Sequence, residues 1–194
     1  KKQTISTNVN LDELQNIPSA RDPWVVLQTV PGIVVDRVNV GGAESGQQSN
    51  YQAKGANPDQ NTWNMDGIAI TDMGSLGASP TYYDFDMFQE MQGTTGGADP
   101  ANATPGVQLN FVLRSGTSRW RGTSRYYFEN EDLQSDNVSS DLFGQIASYN
   151  RVAEYKDWGF EGGGPIVPNR IFAWGAYGKT EPALNVFSYD AATN

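Results

Sequence analysis

Two alternations lie back to back in VQLNFVLRSGTSRWRGTSRYYFEN, Val107 to Asn130. In the first, Val107, Leu109, Phe111 and Leu113 fall on one side of an extended chain, the period-two pattern of a strand with one buried face. After Ser115-Gly116 a second begins. Trp120, Gly122, Ser124, Tyr126 and Phe128 share one side, and Arg119, Arg121, Thr123, Arg125 and Glu129 share the other. A core strand thus runs, through one glycine, into a strand with aromatics on one face and arginines opposite. Two later segments repeat the pattern: Asp157 to Val167 (DWGFEGGGPIV) and Arg170 to Thr180 (RIFAWGAYGKT).

Each of these three segments has about the ten residues that a tilted strand needs to cross a bilayer. A long acidic connection, residues 131–155, separates the first from the second, and Pro168-Asn169 alone separates the second from the third. Long loop followed by tight turn is the alternation of transmembrane barrels, long outside and short on the periplasmic side. The reading places Trp120, Tyr126, Phe128, Phe172 and Trp174 toward lipid, with the small residues Ala173 and Gly175 and the arginine row toward a wet lumen. A soluble antiparallel sheet with one solvated face carries the same alternation. Three strands cannot close a barrel, whose smallest members have about eight, and their bare edges are a liability in isolation. The sequence is therefore expected to be a piece, or the ordered part, of a longer chain.

Residues 1–116 read differently. Asn10 before LDELQNI predicts a short capped helix. Asp22 as N-cap with Pro23 at the first helical position predicts another through WVVLQTV, stopped by Pro31-Gly32. IVVDRVNV reads as a strand, GGAESGQQSN as a loop, and NYQAKG and NTWNMDGIAI as two strands joined by the tip Ala56 to Gln60. TDMGSLGASP and TTGGADPANATPG are loops by composition. YYDFDMFQEMQG suits a short helix or a strand, and the pattern leaves both open. Short helices, short strands and long loops with modest apolar content suit an α+β unit sheltered by another structure.

Composition narrows the chemistry. The net charge of -9 disfavours nucleic acid, whose phosphates need a basic surface. With no cysteine and no histidine, disulfides, thiolate metal sites and the usual general base are removed. No run approaches the length of a transmembrane helix, and KKQTISTNVNLDELQ has no apolar core of a signal peptide, so a mature or trimmed product is expected. Catalysis would fall to Asp66, Asp72, Asp84 and Asp86. However, Asp66 precedes Gly67 in a turn, and Asp84 and Asp86 alternate with Tyr83, Phe85 and Met87 as a solvated face would. DNVSSD and ENEDLQSD lack the ligand spacing of a calcium loop. The sequence predicts no catalytic residue, no metal site and no cofactor.

The order LDELQNIPSARDPWVVLQTVPGI, YQAKGANPDQNTWNMDGIAITD and FQEMQGTTGGADPANATPGVQLNFVLRSGTSRWRG resembles the plug of TonB-dependent outer-membrane receptors, most closely an Oar-like subgroup. The matching features are Pro31-Gly32, Gly55-Ala56, Asp66-Gly67, Asn110 and Arg114-Ser115-Gly116-Thr117, with the first barrel strand opening at Trp120-Arg121-Gly122. Each motif is weak alone, and their order over nearly the whole chain makes the match.

The resemblance implies an α+β plug over residues 1–116 and the first antiparallel strands of a large barrel over 117–194. It also implies a bacterial outer-membrane location and contact with lipid. It implies uptake of a bulky or scarce extracellular ligand, energised by the TonB complex through an N-terminal segment that is not apparent here. By similarity, the loops around Gly42 to Gln48, Asn57 to Gln60 and Met73 to Ser79 face outward. Gln47, Asn57, Asp59, Gln60 and Ser75 then become candidate ligand contacts. Where many plugs use arginines against the barrel, Lys54 and Gln92 stand, so the plug–barrel lock is expected to be weaker or differently built. The rival reading is a secreted or surface β-rich adhesin.

Overall fold

The computed structural model describes residues 5–17, 21–36, 48–96, 104–135 and 151–185. Its centre is a five-stranded sheet built from β1 (Ile5–Asn10), β4 (Thr62–Met65), β5 (Ile68–Ala69), β6 (Phe88–Gly96) and β7 (Gln108–Leu113), in the order β1-β6-β7-β4-β5. β4 and β7 run parallel, and the other neighbours are antiparallel. The sheet is therefore mixed. A two-stranded ribbon of β2 (Ile33–Val35) and β3 (Tyr51–Ala53) packs beside it, with α1 (Leu11–Asn16) and α2 (Pro23–Leu27).

Local chemistry accounts for these elements. Asn10 caps α1 reciprocally: its side chain accepts from the Glu13 amide at 3.1 Å, and Glu13 accepts from the Asn10 amide at 2.8 Å. Asp22 accepts from the Val25 amide at 2.8 Å, and Pro23 opens α2, as its sequence predicts. Between β4 and β5, Asp66 and Gly67 take φ values of 48° and 80°. Two successive positive φ angles make the tight turn whose twist matches an antiparallel pair.

Val107, Leu109 and Phe111 are buried on one face as their alternation requires, and Leu113 packs at the margin. Around Phe111 gather Phe88 at 4.5 Å, Tyr83 at 5.2 Å and Trp63 at 5.6 Å between ring centroids. Offset and tilted aromatic pairs add to the gain from area burial alone.

Several expectations change. β3 and β4 both exist, yet they do not pair: β3 joins β2, and β4 joins β7. YYDFDMFQEMQG resolves into both options, a 3₁₀ turn at Phe85–Met87 and then β6. β1 has no strong signal, because as an edge strand it buries only Val9. Only Ile33–Val35 of IVVDRVNV is described as strand, and its continuation and most of the following loop, Gln47 included, lie outside the described residues.

Beyond residue 120 a second, antiparallel sheet contains β8 (Arg121–Asn130), β9 (Arg151–Val167) and β10 (Ile171–Asn185), in the order β10-β9-β8. β9 and β10 run to 17 and 15 residues, longer than their alternation suggests, and β9 starts inside the span read as loop. The chain reverses between β9 and β10 at Pro168 to Arg170, where the Arg170 amide donates to the Val167 carbonyl. The three strands form an open sheet, not a closed barrel.

Candidate functional site

Cross-strand register assigns the faces of the second sheet. Arg125 lies opposite Gly159, which lies opposite Gly178, and Thr123 lies opposite Glu161. This row faces the five-stranded sheet. Arg125 donates to Asp157 at 3.1 Å, to Asp86 at 2.6 Å and to Asp84 at 2.9 Å. Arg21 completes the cluster, reaching Asp86 at 2.8 Å and Asp157 at 3.3 Å, with its guanidinium 4.9 Å from the Tyr127 ring centroid. Two arginines from different parts of the chain thus share three carboxylates across the seam.

The glycines explain how Arg125 fits. A Cβ on Gly159 would sit 2.8 Å from its guanidinium, and one on Gly178 would sit 2.5 Å from it. Asp84 and Asp86, read from alternation as a solvated face, are instead the partners of this seam. The 3₁₀ turn at Phe85–Met87 breaks the alternation and turns both carboxylates to the second sheet. Nearer the β9–β10 turn, Arg114 pairs with Glu161, which also accepts from the Thr123 hydroxyl at 2.8 Å.

The opposite face is bare and aromatic. Trp120, Tyr126 and Phe160 are 69%, 65% and 56% exposed, and Tyr177 stacks on Phe160 with centroids 5.8 Å apart. Trp174 is not among them. It lies opposite Gly163 on the row of Arg121, and it lines a cavity of about 200 Å³ with Arg114 and Glu161. The expected outward position for Trp174 rested on the size contrast with Ala173 and Gly175. The register reverses it, because Gly163 leaves room for an indole on the inner side: a Cβ there would approach its ring to 2.9 Å. Phe172 has the parity of Trp174, beside a register shift near the turn, and is exposed.

A cavity of about 440 Å³ brings together Asn57, Asp59 and Ser75, with Gln48, Asn50 and Tyr51. Its shape depends on close approach of two loops. Gly77 has a φ of 79°, and a Cβ there would stand 2.0 Å from the Pro58 carbonyl oxygen. The Trp63 indole donates to the Gly77 carbonyl at 2.9 Å and ties the loop to the core. Gln60 lies beside the cavity in a local role, accepting from the Asn57 amide at 2.9 Å.

Of the two expected lock residues, Gln92 accepts from Asn110 at 3.0 Å and donates to Glu90 at 3.0 Å, both within the first sheet. Lys54 reaches toward Gly96. Among the described residues, Arg21, Asp84, Asp86 and Arg114 make contacts between the two sheets, a role for which the sequence reading did not single them out. Glycines in register with arginines across three strands were the available signal.

Asp22 carries a pH dependence. Burial pushes its carboxyl up to about 6, against the pull of the Val25 and Trp24 amides. The folded state therefore holds this proton more tightly than the unfolded state. Stability rises as pH falls from about 6 to about 4 and declines as pH rises through the folded value. Asp22→Asn keeps an oxygen acceptor without the charge. It is expected to flatten this window and to gain up to about 3 kcal/mol at pH 7, read from thermal melts of the full-length protein at both ends of the window.

Residues 1–107 match the family model described as TonB-dependent Receptor Plug Domain. No curated protein matches the chain in sequence. Among solved structures, the siderophore receptor PirA from Acinetobacter baumannii is similar with a TM-score of 0.63 at 17% identity, covering 93% of this chain and 25% of that one. The ferric enterobactin receptor PfeA from Pseudomonas aeruginosa, a mutant in complex with enterobactin, gives 0.58 at 15% identity, covering 93% and 26%. The alcaligin outer-membrane receptor FauA from Bordetella pertussis gives 0.56 at 14% identity, covering 90% and 26%. The chain therefore spans about a quarter of the length of these structures. A mixed sheet with few helices, followed by antiparallel strands like those that begin such a barrel, carries the matching plug sequence, and the chain belongs to the TonB-dependent receptor family.

Proposed function

We propose that the chain is the plug and first wall strands of a bacterial outer-membrane receptor that takes up a bulky or scarce extracellular ligand. On this reading the plug fills the barrel lumen, and TonB, acting on an N-terminal segment, supplies the energy to displace it. The motif order supports placement in the Oar-like subgroup. The observation that carries the reading is the two-faced second sheet. One face is committed to the first sheet through buried ion pairs, and the other presents Trp120, Tyr126, Phe128, Phe160 and Tyr177 as exposed aromatic side chains. An aromatic surface of that kind is costly in water and suits the lipid side of a barrel, with aromatics near the interfaces.

Orientation follows from the wall. If the β9–β10 turn is periplasmic, the cavity lined by Asn57, Asp59 and Ser75 faces outside. Trp24 lines both that cavity and a second one against Tyr155 and Pro182, far along the strands from the turn. These residues then form part of the floor on which the ligand rests.

The test is a charge on each kind of exposed apolar residue in the full-length receptor. Phe160→Arg is expected to cost about 2–4 kcal/mol in the bilayer and to deplete the protein from the outer membrane. Met73→Arg, on a plug loop and 95% exposed, is expected to assemble normally. Equal assembly of both variants would rule out a lipid-facing Phe160. Energisation is tested separately: removing TonB from the host should stop uptake and leave surface binding intact, and uptake that persists rejects it.

A further inference from the structure

The exposed face of the second sheet changes character along its length. Register sets Ala173, Gly175 and Tyr177 of β10 opposite Gly164, Gly162 and Phe160 of β9, all of them uncharged. One level farther from the β9–β10 turn, Lys179 lies in a row with Trp158 and Tyr126. At the next level Lys156 lies between Phe128 and Glu181, and beyond it Glu154 lies between Asn130 and Ala183. Among the described residues of the three strands on this face, these are the first charges met on leaving Arg170 at the turn.

A bilayer accounts for the level at which they begin. The rise from Arg170 to Lys179, at about 3.3 Å per residue and a tilt of about 40°, is roughly 23 Å, close to the apolar band of about 25 Å that a barrel presents to lipid. A charge on that band is costly at the midplane and nearly free at the interface. Lys179 and Lys156 therefore stand at headgroup level, with Tyr126, Trp158 and Phe128 as the aromatic belt of the same interface. The Lys156 ammonium is 5.9 Å from the Phe128 ring centroid.

The charges are layered. Lys179 is nearest the hydrocarbon, Lys156 and Glu181 share the next level, and Glu154 is outermost. Lys179 pairs with Glu181 at 2.8 Å and Lys156 with Glu154 at 2.7 Å, and the four side chains are 35% to 52% exposed. Exposed pairs of this kind contribute little and yield readily to a further partner. Each ammonium has three N–H donors, and its glutamate takes one.

A phospholipid headgroup carries its phosphate next to the acyl-bearing part and its amine farther out. That order matches lysines below and carboxylates above. A headgroup without an amine would bring its phosphate to the lysines and leave the carboxylates repelling it. A quaternary amine would bring charge but no N–H to donate. We infer that Lys156, Lys179, Glu154 and Glu181 bind a lipid headgroup made of a phosphate bearing a primary amine. The phosphate sits on the lysines and the amine on the glutamates. This rests on the lipid-facing reading of the sheet and adds the chemistry of the lipid held at its far end.

The test titrates full-length receptor, delipidated in detergent, with phosphatidylethanolamine, phosphatidylglycerol and phosphatidylcholine, and counts bound lipid by native mass spectrometry. Lys156→Gln combined with Lys179→Gln should weaken binding of the first phosphatidylethanolamine at least about fivefold, and the lipid lost in this variant is the one held here. The parent should hold that lipid at least about fivefold more tightly than either of the other two. Glu154→Gln combined with Glu181→Gln should instead erase the preference over phosphatidylglycerol and keep phosphate binding. All four side chains are exposed, so the variants keep the fold, and a thermal melt without lipid checks this. Tighter binding of phosphatidylglycerol or phosphatidylcholine overturns the inference, as do variants that bind all three lipids as the parent does. A receptor that assembles in the outer membrane with no headgroup preference leaves the lipid-facing reading intact and the inference wrong. Failure to insert into membranes would remove that reading itself.

Discussion

Arg125→Ala in the full-length receptor is expected to loosen the plug from the wall more than any other single change at the seam. The arginine side chain is 10% exposed, and its partners Asp84, Asp86 and Asp157 are 21%, 14% and 5% exposed. Removing the cation leaves three carboxylates around Arg21 alone, with little water to replace what was lost. Truncating one partner of a buried ion pair costs about 3–5 kcal/mol, most of it the penalty on the charges left behind. The readout is protease sensitivity of the plug in otherwise assembled receptor, together with entry of a large antibiotic through the loosened lumen. Arg125→Lys should recover only part of the seating, since an ammonium keeps the charge but cannot spread planar donors over three carboxylates. If Arg125→Ala resists protease and excludes the antibiotic as the parent does, the cluster does not seat the plug.

Trp63→Ala is expected to have a comparable effect inside the plug. Trp63 is fully buried, its ring centroid is 5.6 Å from those of both Trp24 and Phe111, and its indole holds the Gly77 carbonyl. A Trp→Ala cavity costs about 3–5 kcal/mol, a large fraction of the stability of a unit this size. Trp63→Phe separates the two contributions. It keeps most of the ring packing and gives up one hydrogen bond, worth about 1 kcal/mol. The expected result is a folded plug in which hydrogen exchange quickens around Ser75 to Ala78 while β7 stays protected. Quickening spread evenly over the sheet would mean that the indole bond does not act locally on the cavity.

These two residues differ in how legible they were. Trp63 sits in NTWNM, part of a segment that the sequence reads as a strand. Arg125 was visible as a lumen-facing residue, but its partners were not. Asp84 and Asp86 alternate with apolar neighbours and so look solvated, since period-two reading assumes water on whichever side is polar. Here the polar side meets another polar surface. Asn57, Asp59 and Ser75 were singled out as loop tips, and the fold does gather them at one cavity. Gln60, from the same loop, is drawn off into capping.

The sequence by itself determined what neighbouring residues decide among themselves. It set the capped starts of α1 and α2, the Asp66-Gly67 turn, the buried face of β7, and the change from core strand to two-faced strand near Gly116. Caps, turns and alternation are interactions within a few residues, and they are written in order along the chain. Tertiary structure alone decided which strands pair and which way Trp174 turns. It also decided which carboxylates meet Arg125, some 40 residues away. Those outcomes depend on what stands opposite: the inward Trp174 needs Gly163 in the next strand, and the seated Arg125 needs Gly159 and Gly178 beneath it. A side chain's space is set by its cross-strand neighbours, and those are known only once the register is.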